Sequence, residues 1–345
     1  MSTFAELPQK VVDGSLAGSL LDAVVRSLFE VSWGKARGFI TTGKVKVDGV
    51  TVTEPTRRVG KGAAISLEMT APRRPREHEL GKEQVVFCDG HVIVVRKPAG
   101  VSTVAFDATE QGVPLDERVK AYLARREKDK TQKKRVVSAG VGVVHRLDKE
   151  TTGLIVFTRT WTAKKALGLQ FRQHTVHRRY YAIAHGIVRS QTIRSHLVED
   201  RGDGRRGSIE ARGGRGRVGT HGEPQLAITH VEAIQKLEGA TLIACRLETG
   251  RTHQIRIHLS EAGHPIVGER VYTKRFTTNG GVLIPAPRLM LHAAELGFKH
   301  PAAAEDEERA MKWEDPLPAD MIETLVRLGG TPPPPPAPPP KPTGS

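Results

Sequence analysis

The feature that most constrains this chain lies between residues 140 and 158. Two short apolar runs, 140–144 and 154–157, bracket a polar loop with one arginine, one aspartate and a Thr-Thr-Gly turn. Short apolar runs bounded by turn residues read as buried strands. Asp148 is then a carboxylate on a loop held between core strands, where a rigid scaffold fixes functional groups. On residue type alone, Asp148 could equally cap the turn or pair with Arg146 or Lys149.

The chain has 345 residues, enough for a sizeable core and for two domains. A net charge of +15 points to a polyanionic partner, either nucleic acid or an anionic membrane surface. No apolar stretch approaches the ~18 residues of a membrane span. Residues 1–10 lack a basic region followed by an apolar core, so no secretory signal is expected. Nucleic acid is therefore the better partner, and a cytoplasmic location is expected. Cys88 and Cys245 lie in apolar runs far apart and read as reduced core residues, not as a disulfide. Aromatics make up only 5% of the chain, which argues against a binding surface built mainly from stacking platforms.

Residues 1–14 read as a flexible tail. Leu20, Leu21, Val24, Val25 and Leu28 recur at helical spacing, with Ser19 as a candidate N-cap. A second helix begins at Ser32, runs through Ala36, Phe39 and Ile40, and stops at Gly43. Alternating residues around Asp48-Gly49 signal a tight hairpin, and 64–69 alternates as a further strand. Residues 15–70 thus form a small α+β module. The helix containing Leu20 to Phe29, the Ser32-x-x-x-Ala36 start and Gly43-Lys44-Val45-Lys46-Val47-Asp48-Gly49 together resemble the small RNA-binding domain named after ribosomal protein S-four. Asp48 stands where that family usually has Asn. The resemblance implies that the second helix and the following loop face RNA, which makes Lys35, Arg37, Lys44 and Lys46 candidate RNA-binding residues. A solvated basic face is the plainer reading of the same cations.

A Pro/Arg-rich linker follows at 71–82, and residues 83–328 read as the main domain. Runs 85–87 and 92–95 flank Cys88-Asp89-Gly90-His91 as a hairpin, and Lys97-Pro98-Ala99-Gly100 is a turn. A helix over 115–123 runs on into a basic stretch that tracks phosphate or is simply solvated. Thr160 caps a helix through Phe171, and 178–184 reads as a strand. Residues 202–222 are Gly/Arg-rich and read as a flexible insertion. After a strand over 240–247, Thr252 is a candidate cap for a helix to Ala262, ended by Gly263 and Pro265. Residues 329–345 form a Pro-rich tail expected to stay extended. His253 and His258 lack the i, i+4 spacing of helical zinc ligands, so no metal is expected.

Four motifs of the main domain resemble the RluA-type pseudouridine synthases. They are Lys97-Pro98-Ala99-Gly100, His145-Arg146-Leu147-Asp148-Lys149-Glu150-Thr151-Thr152-Gly153-Leu154, Arg178-Arg179-Tyr180-Tyr181-Ala182, and Gly250-Arg251-Thr252-His253-Gln254-Ile255-Arg256-Ile257-His258-Leu259. Thr152 stands where Ser is usual and Glu269 where Asp is usual; the latter is expected to lie outside the chemical core. The resemblance implies an α+β fold around a largely antiparallel central sheet with the site in a cleft. It also implies catalytic Asp148, with Arg251 as its ion-pair partner, Tyr180 against the uracil, and Arg146 helping to extrude the base.

Isomerising uridine breaks the glycosidic bond, turns the base and rejoins it through carbon five. Nothing is oxidised or carried away, so no cofactor is expected. Asp148 would act at the sugar, by attacking the anomeric carbon or by removing a neighbouring proton, on a base drawn out of its stack. A hydrolytic glycosidase would typically need two carboxylates, and only Asp148 falls in the strongly matching motifs. The other reading is a non-catalytic RNA-binding or ribosome-assembly factor of the same fold. The expected partner is RNA, with large-subunit rRNA favoured and tRNA the alternative, bound by a monomer without membrane association.

Overall fold

The structure is a computed structural model that describes residues 9–69, 79–105, 112–130, 140–200, 205–212, 223–303 and 309–334. The chain divides into two compact units, Met1–Gly81 and Lys82–Ser345. Among the described residues, no helix is long and apolar enough to cross a membrane.

The first unit contains β1 (Gln9–Val11), α1 (Leu21–Phe29), α2 (Trp33–Thr41), β2 (Val45–Val47), β3 (Val50–Thr51) and β4 (Ala64–Leu67). Its sheet runs in the order β1-β4-β2-β3. The two helices and the sheet share a core of Leu21, Val24, Val25, Ala36, Ile40, Val45 and Ile65. The hairpin forms at the expected residues. Asp48 (φ 51) and Gly49 (φ 78) both take the left-handed conformation that a tight turn needs. Asp48 also braces β4, accepting from the Ala64 amide at 2.8 Å. Ser32 caps α2 by accepting from Lys35 N.

Two expectations are corrected here. Residues 9–11 are not tail: β1 pairs with β4, and neighbouring Val12 is buried. Three residues show no periodicity, and their partner lies more than fifty positions away. Ser19 does not cap α1; Leu20 occupies that place without a side-chain bond, and Asp22 in the first turn accepts from Ala23 N instead.

The second unit is built on β5 (Val85–Cys88), β6 (Val92–Lys97), α3 (Leu115–Lys130), β7 (Gly142–Val143), β8 (Thr152–Thr158), α4 (Trp161–Arg172), β9 (His177–His185), β10 (Gln191–Val198), β11 (Gly207–Ser208), β12 (Gln225–Lys236), β13 (Ala240–Leu247), α5 (Gln254–Glu261), α6 (Lys274–Thr278), β14 (Leu291–Lys299), β15 (Ala310–Glu314) and α7 (Ala319–Arg327). The strands form one sheet in the order β11-β10-β12-β13-β9-β14-β8-β6-β5, with β15 on β14 and β7 on β8. The fold class is α+β, as the motifs implied.

All described pairings in this sheet are antiparallel except β8 with β14, which is parallel and rests on two residue pairs, Thr152–His292 and Gly153–Ala293. That short seam joins the β5–β8 half to the β9–β14 half. Every residue of β8 is buried, as expected for a strand covered on both faces. Leu154, Val156 and Leu167 of α4 pack with Val92, Val94 and Leu296. Each buried aliphatic of this size contributes about 1.5–3 kcal/mol.

Residues 205–212 of the Gly/Arg-rich segment are ordered. Gly207–Ser208 closes the sheet edge against β10, and Glu261 of α5 accepts from both the amide and the hydroxyl of Ser208, at 2.9 and 2.6 Å. Residues 202–204 and 213–222 of that segment lie outside the described residues, as do 71–78 of the linker, 131–139 of the basic run and 335–345 of the Pro-rich tail.

Gly153 sits in the seam with φ +114, and a Cβ there would lie 2.2 Å from the carbonyl oxygen of Ala293. Gly153→Ala should therefore lower unfolding stability by more than about 2 kcal/mol, read as a fall in thermal midpoint.

Candidate active site

The carboxylate of Asp148 reaches into a cleft of about 1340 Å³. The loop from β7 to β8 that carries it is held from several sides. Lys97, at the end of β6, is buried, and its Nζ donates to the carbonyls of Pro98, Val101 and Lys149 at 2.9, 2.7 and 2.8 Å. Burial pushes Lys97 down to about 7, while Asp148 and Glu150 pull it back up. Three carbonyl acceptors need three N–H donors, so this geometry belongs to the ammonium form. Gly100 N donates to Lys149 O at 2.9 Å. Thr103 Oγ1 accepts from Leu147 N at 3.1 Å and donates to Leu147 O at 2.9 Å. The Lys-Pro turn is thus the cradle of the aspartate loop, and Lys97 is not a solvated surface lysine.

His145 anchors the other end of the loop. Its Nε2 accepts from Val156 N at 3.1 Å, and its ring stacks on Phe171 at 4.6 Å. Burial, reinforced by nearby Arg178, pushes it down to about 3, consistent with a ring nitrogen that must stay unprotonated to accept. Thr152 keeps the hydroxyl role expected at that position, lying 2.9 Å from His292 Nδ1 on β14.

The Asp148 ion pair differs from expectation. Oδ2 is 3.3 Å from Nη1 of Arg256, not of Arg251. Arg251 precedes the helix, and its Nε donates to Leu226 O at 3.1 Å. Helix α5 begins only at Gln254. Thr252 does not cap it, and His253, with φ 58, occupies the N-cap without a side-chain bond. The Gln254 side chain ties this turn together, Oε1 accepting from Arg251 N and Nε2 donating to Ile228 O, both at 3.0 Å. Arg256, within the first turn, consequently points at Asp148. Its remaining donors grip Glu269, Nε to Oε2 at 2.7 Å and Nη2 to Oε1 at 2.8 Å. Glu269 is buried; burial raises its pKa, but hydrogen bonds and charge from Arg256 win and hold it below the usual range. Glu269 is therefore part of the chemical core, contrary to expectation. The signal in the sequence was a second arginine in the same motif, on a helix whose Ile255 and Ile257 are buried, where a cation held close to the core needs an acidic partner.

Tyr180, on β9, lines the cleft and is buried between small neighbours, Cys245 on β13 and Ala293 on β14. Burial pushes its phenol above its ordinary pKa. Arg146 is exposed at the cleft, with Nη2 3.5 Å from Thr252 Oγ1. Along the same cleft, α4 presents Trp161, Lys164, Lys165 and Arg172, all exposed, and contains no acidic residue. In the first unit, Arg37 pairs with buried Asp22 at 2.8 Å and Lys46 with Glu68 at 2.7 Å. Lys44 donates to Met69 O, and the Lys35 side chain is exposed.

A cleft with one carboxylate paired with an arginine, lined by a tyrosine and rimmed by cations, fits the pseudouridine synthase class that the motifs resemble. The family model for RNA pseudouridylate synthase matches residues 91–261, and the model for the S4 domain matches residues 20–65. The chain is 32% identical over 327 residues to ribosomal large subunit pseudouridine synthase D of Nitrosomonas europaea, covering 93% of this chain and 88% of the relative. It is 34% identical over 334 residues to the protein of the same name from Pseudomonas aeruginosa, covering 91% and 93%. Among solved structures, human RNA pseudouridylate synthase domain containing 4 is similar in fold, with a TM-score of 0.51 and 22% identity over 72% of this chain and 93% of that one. The chain belongs to the RluA-type pseudouridine synthases with an N-terminal S4 domain, and it is an isomerase.

His145 makes the loop acid-sensitive. In the unfolded chain it takes a proton near 6.5, whereas the folded protein resists until about 3. The unfolded state then binds more protons across that window, so this contribution is complete above 6.5 and is lost as pH falls toward 3. The slope for one such site is at most about 1.4 kcal/mol per pH unit. His145→Gln, which keeps an acceptor for Val156 N, should flatten the stability profile between pH 6.5 and 3 in denaturant titrations.

Proposed function

We propose that the enzyme isomerises specific uridines of structured RNA, with large-subunit ribosomal RNA as substrate and Asp148 acting at the ribose. The observation that carries this reading is the state of Asp148. One carboxylate oxygen is committed to Arg256, and the other accepts no hydrogen bond among the described residues and opens on the cleft. The name that the Nitrosomonas europaea and Pseudomonas aeruginosa relatives share, ribosomal large subunit pseudouridine synthase D, supports the choice of RNA. Tyr180 offers its ring to the extruded uracil and stands where it can assist loss of the carbon-five hydrogen. Arg146, exposed on the same loop as Asp148, fills the place vacated by the base. The cations on α4 supply the phosphate attraction that any RNA complex needs. In the first unit, Lys35, Arg37, Lys44 and Lys46 provide a second anchor. Arg37 and Lys46 must share their charge with Asp22 and Glu68, so Lys35 is the least encumbered of the four.

Pseudouridine mapping of total RNA tests the reading in cells lacking the gene, rescued by wild type or by Asp148→Asn. One or a few sites should vanish and return only with wild type. In vitro, Asp148→Asn should lower turnover by about 100- to 10,000-fold or more while leaving RNA affinity near wild type. Rescue of cell function by Asp148→Asn without restored pseudouridine would favour the RNA-binding-factor reading. Removing residues 1–70 should weaken RNA binding and flatten its dependence on salt, measured as the slope of log affinity against log salt concentration. An unchanged slope would remove the first unit as an RNA anchor.

A further inference from the structure

We infer that His253 and Oδ1 of Asp148 together seat the 2′-hydroxyl of the target uridine, and that His253 thereby makes the enzyme selective for ribose over deoxyribose. The inference rests on Asp148 acting at the ribose. It starts from the two oxygens of that carboxylate. Oδ2 is held by Arg256 at 3.3 Å, and Oδ1 faces His253 Nε2 at 3.9 Å. That separation is too long for a direct hydrogen bond. It is the right width for a bridging oxygen: an atom about 2.8 Å from each would subtend an angle of about 90° between them.

The identity of the bridging group follows from what each side offers. His253 Nδ1 lies 2.8 Å from the Tyr272 hydroxyl. That hydroxyl is buried and has no other hydrogen-bond partner among the described residues; donating to Nδ1 is the arrangement that satisfies its proton, and it places the ring proton on Nε2. Burial holds Tyr272 up at about 12, so its hydroxyl keeps the proton it donates. Burial also lowers His253. Asp148 and Glu269 oppose this and Arg256 and Arg206 add to it; these are the charged groups around the ring. The cleft therefore presents an N–H donor on one side and a carboxylate acceptor on the other. A group that both gives and takes a hydrogen bond completes the pair, and a hydroxyl is such a group. The 2′-hydroxyl is attached to the carbon next to the anomeric carbon, so a carboxylate working at the anomeric carbon has it two bonds away.

The site is built, not incidental. His253 holds φ 58, a conformation uncommon for a residue with a side chain. Tyr272, its orienting partner, is fixed on several sides. Its amide reaches Glu269 Oε1 at 3.4 Å, its carbonyl accepts from Ser260 Oγ, and Arg256 lies over its ring at 5.3 Å. One buried cluster thus positions both the ion-pair partner of Oδ2 and the donor facing Oδ1. The 2′-hydroxyl is also the group by which a protein tells RNA from DNA at a given position.

The test is a substrate-variant cycle on the full chain. The probe is a synthetic RNA carrying the mapped target position as uridine or as 2′-deoxyuridine. The enzymes are wild type, His253→Asn and Tyr272→Phe. Asn tolerates the left-handed backbone but is too short to bridge, and Phe keeps the ring while releasing the tautomer. Wild type should favour the ribose substrate by about five-fold or more in kcat/KM. In His253→Asn that preference should fall below about two-fold, because activity on the ribose substrate drops while activity on the deoxy substrate changes little. Tyr272→Phe should fall between. Equal discrimination by wild type and His253→Asn, or none by wild type, would overturn the inference. Asp148→Asn, assayed alongside, separates the two levels. If it turns over both substrates at wild-type rates, the placement of Asp148 at the ribose fails, and the inference fails with it. If it is inactive while discrimination persists in His253→Asn, only the inference fails.

Discussion

The guanidinium of Arg256 is the constraint on which the catalytic cleft depends. Its side chain is only 11% exposed, and a guanidinium so far removed from water must satisfy its donors or destabilise the fold. Two of its nitrogens are spent on Glu269 in a bidentate pair, and the third reaches Asp148. The division of labour is chemical. Glu269 neutralises the cation and fixes its plane, so Arg256 can address Asp148 from a set direction without that carboxylate having to hold it in place. Removing Arg256 would leave the buried Glu269 carboxylate uncompensated, which costs far more than a surface ion pair contributes.

A second set of bonds positions the aspartate from below. Lys97 gathers three carbonyls of the two loops beneath Asp148, Thr103 clasps Leu147, and His145 takes a strand amide. These contacts fix the backbone, whereas Arg256 and His253 address the carboxylate itself. The two sets come from different parts of the sheet. The carboxylate is therefore defined by both halves of the fold, and neither half alone determines where its oxygens lie.

Much of this was legible in the sequence because the decisive signals are local. The strand bearing Leu154 to Phe157, the Thr160 cap, the Asp48-Gly49 hairpin and the strand over 240–247 follow from periodicity and turn chemistry within a dozen residues. What was missed depends on distant partners. Strand β1 forms only because β4 offers an edge, and the short α7 was not anticipated at all. The choice between Arg251 and Arg256 turned on where α5 starts. Gln254 folds its amide back into the turn and delays the helix by one residue, a tertiary effect that no spacing rule carries. Glu269 was set aside for the same reason, since its value lies in an arginine thirteen positions earlier.

The seam between β8 and β14 gives the cleft a property of its own. Two residue pairs hold together a sheet that is otherwise antiparallel throughout. Asp148 hangs from one side of that joint, while Tyr180 and Arg256 belong to the other. Strand pairing has a period of two, so a slip of one residue at the joint would reverse the facing of every side chain beyond it. The distance between Asp148 and Arg256 is thus set across a joint of two residue pairs, and the register of that joint is part of what defines the site.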